Sequence, residues 1–118
     1  YDGTDLKLFE GGVERATAAA SGTGTGAETD IFEVGARRNG SFTNGRFAHV
    51  SVHSAALAAV DRVRLWYHKP NDNEANIQLY WPFDENTGTT AQDHAGTNNS
   101  GTITGADWVS NHPPTTYK

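Results

Sequence analysis

The chain has 118 residues, a net charge of −5 and no cysteine. That length suits one domain with one modest core. The absence of cysteine excludes disulfides and thiolate chemistry, and the longest basic run, Arg37-Arg38, is too short for the basic stripe of a nucleic-acid binder. Hydrophobic residues make up 36% and glycine is high at 13 residues, a balance that favours short apolar strands between polar turns over a helical bundle. No apolar stretch is long enough to span a membrane, and no signal peptide is legible. The lack of Met, with Tyr1 as first residue, reads as a chain whose translation start lies elsewhere.

Leu6, Leu8 and Val13 flank Glu10-Gly11-Gly12. Alternation around a glycine pair predicts a β-hairpin over residues 5–10 and 13–18. Residues 16–29 are Ala, Ser, Thr and Gly, the composition of a loose loop. Ile31 to Arg37 predicts a strand with Phe32, Val34 and Ala36 on one face. Asn39-Gly40 and Asn44-Gly45 are turn signals around Phe42. Arg46 to Val52 predicts the next strand, with Ala48, Val50 and Val52 toward the core and Phe47, His49, Ser51 and His53 away from it.

Ser54 fits an N-cap for a short helix, because Leu57, Val60, Val63 and Tyr67 recur at spacings of three and four. The helix stops before Pro70. Lys69 to Asn76 is polar and reads as a junction. Ile77, Leu79, Trp81 and Phe83 then alternate as the most apolar strand face. Pro82 lies on the other set and suggests an edge or a break in the ladder. Residues 84–100 read as a polar loop, and Thr102–Thr104 and Trp108-Val109 as short late strands. About six or seven short strands with Gly/Asn turns indicate an all-β, antiparallel sandwich or jelly roll with one short helix.

Two segments carry a resemblance. Residues 79–108, with Trp81-Pro82-Phe83-Asp84-Glu85, then Asp93-His94-Ala95-Gly96, then Gly101-Thr102-Ile103, resemble the opening of a laminin-G/concanavalin-A-like lectin domain of the bacterial and phage type. Residues 5–67 resemble its closing part, through Leu6-Lys7-Leu8-Phe9, Gly11-Gly12-Val13, Ile31 to Ala36, Phe42 to Phe47 and Val50 to Leu57. The closing motifs therefore precede the opening ones. In that family the first and last strands lie near each other in one sheet. The resemblance thus implies that the strand near residue 50 and the strand near residue 79 come together, with the family's middle strands missing. Such a sandwich is short of strands, and exposed edges invite pairing.

The candidate sites are few. Asp84 and Glu85 are adjacent and point apart on a strand, whereas a glycosidase pair faces across a sugar at roughly 5–10 Å. The Glu-x-Asp-x-x-Glu active strand of the superfamily's glucanases is absent. Asp93, Gly96, Asn98 and Asn99 form the best metal candidate. A carboxylate, a carbonyl and amides in one tight loop suit Ca²⁺, and some relatives bind Ca²⁺ through the corresponding Asp-x-x-Gly loop. The competing reading is an Asx-turn, in which Asp93 bonds its own backbone. The second acidic residue common in the family's last strand is replaced here by Ala48-His49. His49 and His53 lie about 13 Å apart on strand geometry, too far to chelate one ion. Gly22-Thr-Gly-Thr-Gly26 opens no helix and gives no phosphate cradle.

The tryptophans Trp66 and Trp81 are predicted inward. Phe47 and Tyr80 are predicted outward and are the candidate sugar-stacking residues. Asn39-Gly40-Ser41 and Asn98-Asn99-Ser100 fit glycosylation sequons, relevant only in a eukaryotic secretory setting. The sequence therefore points to a non-enzymatic structural or adhesion module on an extracellular or virion surface, partnered by protein or by itself. The alternative is a carbohydrate-binding lectin module with Ca²⁺. A remnant of a glycan-processing enzyme is the weakest reading. Neither nucleic acid nor membrane insertion is expected.

Overall fold

A computed structural model describes residues 4–20, 32–37, 40–71 and 74–109. These residues form eight short strands and one helix. Every strand pair is antiparallel, and each belongs to a separate two-stranded sheet. The described residues are thus β-rich with one short helix, as the composition predicts.

β1 (Asp5–Glu10) and β2 (Val13–Ala19) form the first hairpin. Gly11 and Gly12 both have positive φ, at 59° and 78°. That is the demand of a type I′ two-residue turn, and glycine meets it without strain. The register shifts after Leu8, leaving Arg15 as the extra residue of a bulge. Leu6 and Leu8 pair with Ala18 and Ala16, so one face of the hairpin is apolar. Both leucines are nonetheless exposed. The Arg62 guanidinium sits 4.1 Å over the Phe9 ring, and a methyl group at Gly12 would lie 3.2 Å from Val63. The hairpin tip therefore leans on the helix.

β3 (Ala36–Arg37) is what remains of the longer strand predicted over 31–37, and it pairs with β4 (Ser41–Phe42), which lies between the two Asn-Gly turn signals. Ile31 and residues 21–30, including the alternating glycines, lie outside the described residues, as does Asn39 of the first sequon. Gly35 is where the strand gives way, with φ 76°. Its bare α-carbon admits the Phe47 ring, which would come within 2.8 Å of any β-carbon there.

β5 (Val50–His53) pairs antiparallel with β6 (Ile77–Trp81). This is the juxtaposition that the order of the two motifs implied. β5 is shorter than the predicted 46–52 strand, and Arg46 to His49 run outside it. The connection runs through α1 (Ala59–Tyr67). The predicted cap at Ser54 is not formed. The Ser54 amide donates to the Asn76 carbonyl at 2.8 Å, and its hydroxyl donates to the same oxygen at 3.3 Å. That tertiary bond holds Ser54 beside the entry to β6. The helix instead starts after Ala58, with no side-chain cap. Asp61 in its first turn complements the helix dipole, and Arg62 donates to the Leu57 carbonyl. Arg64, in the last turn, reaches past the helix to bond Glu74 at 2.6 Å, and this bond holds the Glu74 carboxyl below its ordinary range.

The helix face predicted to enter the core does not. Val60, Val63, Trp66 and Tyr67 are all exposed, Val60 at 73%. The 3.6-residue spacing identifies an apolar stripe but not what covers it.

The core sits on β6. Leu79 and Trp81 pack with Ala91, and Val34, Val50, Val52, Phe83 and Ile103 lie against them. Each such side chain, fully buried, is worth roughly 1.5–3 kcal/mol. The Trp81 indole N–H donates to the Asn99 carbonyl at 2.9 Å, so its polar atom is satisfied. β7 (Thr90–Ala91) pairs with β8 (Gly101–Thr102) beneath it. β8 is shorter than the predicted late strand. Trp108-Val109 is not a strand; Trp108 is held instead by its indole bond to the Gly88 carbonyl at 2.8 Å. Pro82 is buried just past the end of β6. No helix among the described residues is long and apolar enough to cross a membrane.

Candidate functional site

Asp93 is the most heavily bonded side chain near β6. Its Oδ1 accepts from the Tyr80 amide at 3.0 Å and from the Ala95 amide at 3.0 Å. Its Oδ2 accepts from the Asn99 amide at 2.9 Å and from the Thr97 hydroxyl at 2.7 Å. That hydroxyl has one hydrogen, shared between Asp93 and the Gln78 carbonyl at 2.6 Å. Burial opposes ionisation of Asp93, but the bonds from Tyr80, Asn99, Thr97 and Ala95 outweigh it and hold the carboxyl far below the carboxylate range. The bond from Ala95 is the Asx-turn. Asn98 and Gly96 supply the left-handed residues of the loop, with φ 60° and 75°. Their side-chain and conformational preferences build the turn itself.

This loop has a clear mechanical role. Tyr80 directs its N–H to Asp93 and its carbonyl to the His94 amide at 2.8 Å, both away from β5. The Gln78 carbonyl accepts from Thr97 and from the Asn99 side chain at 3.1 Å. Residues 93–99 thus satisfy the outer edge of β6 without forming a strand. A carboxylate has about four lone-pair sites, and all are engaged here. Asp93, Gly96 and Asn98 do share one loop, as the metal reading requires. A cation would have to displace the donors that dock the loop. Among the described residues, no cluster of three or more His, Asp or Glu could hold a metal ion.

Tyr80 corrects the expected outward face of β6. It is only 3% exposed. The 93–95 loop folds over it, and its ring meets the His94 imidazole edge-on at 6.2 Å. Strand alternation assumes one wet face, whereas this strand is covered on both. Phe47 is exposed, but it precedes β5 and lines the same cavity as Trp81. Phe47 and Tyr80 therefore do not form one platform.

Asp84 and Glu85 brace the loop beyond β6. Asp84 reaches Lys69 at 3.5 Å, and Glu85 Oε1 accepts from the Gln92 amide at 2.6 Å. No opposed carboxylate pair results. His53 Nε2 lies 3.2 Å from the Ser51 hydroxyl. Burial, then the Lys69 charge, push the His49 imidazole below its ordinary value.

One recess among the described residues has a volume of about 1050 Å³. It is lined by the aromatic side chains of Phe32, Phe42, Phe47, Trp81 and Trp108 and by polar residues that include Arg46, Asn98 and Asp107. Sequence reading missed this recess, because its lining comes from segments far apart in the chain. It also missed the docking of Asp93 on β6; the only local signal is the run of short donors and acceptors at Asp93, Thr97 and Asn99. No family model, curated protein or solved structure matches the chain.

Proposed function

We propose that the chain is a non-catalytic structural or adhesion module of the laminin-G/concanavalin-A-like kind, an antiparallel sandwich whose layers are completed by another chain. Its setting is an extracellular or virion surface within a larger assembly. The observation that carries this reading is an apolar surface patterned for burial yet left open. Phe42 is 78% exposed, and Leu6, Leu8, Val60 and Trp66 are exposed with it. Apart from Pro70 and Pro82, the buried apolar residues among those described are Ile77, Leu79, Tyr80, Trp81 and Ala91. Exposed large apolar side chains on the hairpin, the helix and β4 are where a partner would gain apolar burial.

The experiment is sedimentation velocity of the purified chain across the micromolar range, read together with fluorescence of a dye that brightens on apolar surface. Concentration-dependent growth in mass with loss of dye signal supports the assembly reading. A dye-dark monomer at every concentration overturns it.

The second reading, a carbohydrate-binding module, is favoured by the cavity, whose mixed aromatic and polar lining suits a sugar. A glycan array with and without chelator tests it. Because the Asp93 lone pairs are spent on the loop, sugar binding would be indifferent to Ca²⁺.

A further inference from the structure

The two edges of the β5–β6 pair are treated differently. The β6 edge is closed by residues 93–99, as described above. Because the Tyr80 amide and carbonyl point to that loop, Ser51, which faces Tyr80, is a non-hydrogen-bonded partner in the ladder. Val50 and Val52 make the bonds to Trp81 and Leu79. The Ser51 N–H and carbonyl therefore point out of the free side of β5. β5 has no second strand neighbour among the described residues.

Nothing on β5 discourages pairing. Proteins blunt exposed edges with Pro, Lys, inward charges or bulges. Val50-Ser51-Val52-His53 has no proline, lysine or carboxylate. The one irregularity of this ladder falls in β6, where Gln78 is the extra residue between Leu79 and Ile77.

We propose that the free edge of β5 pairs antiparallel with β5 of a second copy of this chain, across a two-fold axis at Ser51. This rests on the reading that another chain closes the open sheet, and it names that chain. The strand is complementary to itself in this register. Ser51 meets the partner's Ser51 and exchanges both backbone bonds with it. Val50 meets the partner's Val52, and His49 meets the partner's His53. The valines of both copies fall on one face, continuous with Leu79 and Trp81 on either side. β-branched pairs and hydroxyl pairs are favourable cross-strand neighbours. A four-stranded sheet with one apolar face results, and three or more strands are what a sheet needs to stand on its own. An isologous two-fold contact closes after two copies and leaves no growing end.

Two variants test this on the whole chain. Ser51→Cys places a lone thiol at the axis of a protein without cysteine, where mild oxidation should join two copies; Ser41→Cys, exposed on β4, is the control. Ser51→Pro removes the outward N–H and leaves the bonds to β6, since proline is tolerated at a free edge. It should raise the dimer dissociation constant by about tenfold or more, through lost backbone bonds, with the circular dichroism of the wild type. Cross-linking at Ser51 but not Ser41, with dimer loss in Ser51→Pro, supports the proposal. Should Ser51→Pro misfold, the cysteine pair decides alone. An assembly that does not cross-link at Ser51 overturns β5 self-pairing and leaves the assembly reading intact. A dye-bright monomer does the same. A dye-dark monomer overturns both.

Discussion

Replacing Asp93 by Asn changes one charge and almost no volume, and it probes the joint that closes β6. The amide oxygen can keep the Tyr80 and Ala95 donors, held at 3.0 Å each. Its NH₂ then confronts the Asn99 amide, which donates to Oδ2 at 2.9 Å in the native loop. One donor is left facing another donor, and the retained bonds lose their charge assistance. Hydrogen bonds to charged groups are worth about 1.5–3 kcal/mol and neutral ones about 0.5–1.5 kcal/mol. The substitution should therefore cost about 2–4 kcal/mol, a large part of the roughly 5–15 kcal/mol that holds a domain together. At about 4 °C per kcal/mol for a chain of this size, Tm should fall by roughly 8–16 °C at neutral pH.

The pH dependence has a definite sign. The folded carboxyl is held below its ordinary value of 3.8, so the unfolded chain takes up the proton first. The stabilisation from Asp93 is complete above that value and is lost as the pH falls through the folded one. Thermal melts of both proteins from neutral to strongly acid pH should show a gap that narrows with acid. An Asp93→Asn variant that melts with the wild type at neutral pH, or a gap that stays constant into acid, would refute the assignment.

Three further outcomes follow from the packing. Gly101→Ala would set a β-carbon 2.7 Å from the Trp81 indole; overpacking there should cost about 1–3 kcal/mol, with a shifted Trp emission in urea titrations. Glu74→Gln should cost about 1 kcal/mol by removing the negative charge from the 2.6 Å contact with Arg64, and the cost should shrink in high salt. Val60→Ser and Trp66→Ser, on the exposed helix face, should each change the stability of the dilute chain by less than about 0.5 kcal/mol; a larger loss by chemical denaturation would mean that this face is covered within the chain.

The elements legible in the sequence are those settled locally. Alternation around Gly11-Gly12 is enough to place the β1–β2 hairpin, because the turn itself demands positive φ at both residues. The pairing of β5 with β6 comes from the order of two motifs, not from periodicity. What is not legible depends on distant partners. Ser54 carries the chemistry of a cap, but the Asn76 carbonyl, 22 residues away, claims it. Tyr80 alternates as an outward residue, but a loop more than ten residues later covers it. Leu57, Val60, Val63 and Tyr67 show helical spacing, which cannot say whether the stripe meets the chain's own core or another chain. Asp93 reads in sequence both as a metal ligand and as an Asx-turn; the geometry contains the turn and extends it to the edge of β6.

Residues 93–99 close the β6 edge, and the proposed assembly leaves the β5 edge to another chain. Hydrogen exchange at two backbone amides tests this most directly. The Tyr80 amide, bonded to Asp93, should exchange slowly at every concentration. The Ser51 amide should exchange fast when the chain is dilute and slow down as concentration rises. A Ser51 amide protected even at high dilution, or a Tyr80 amide as fast as that of Ser51, would contradict the account.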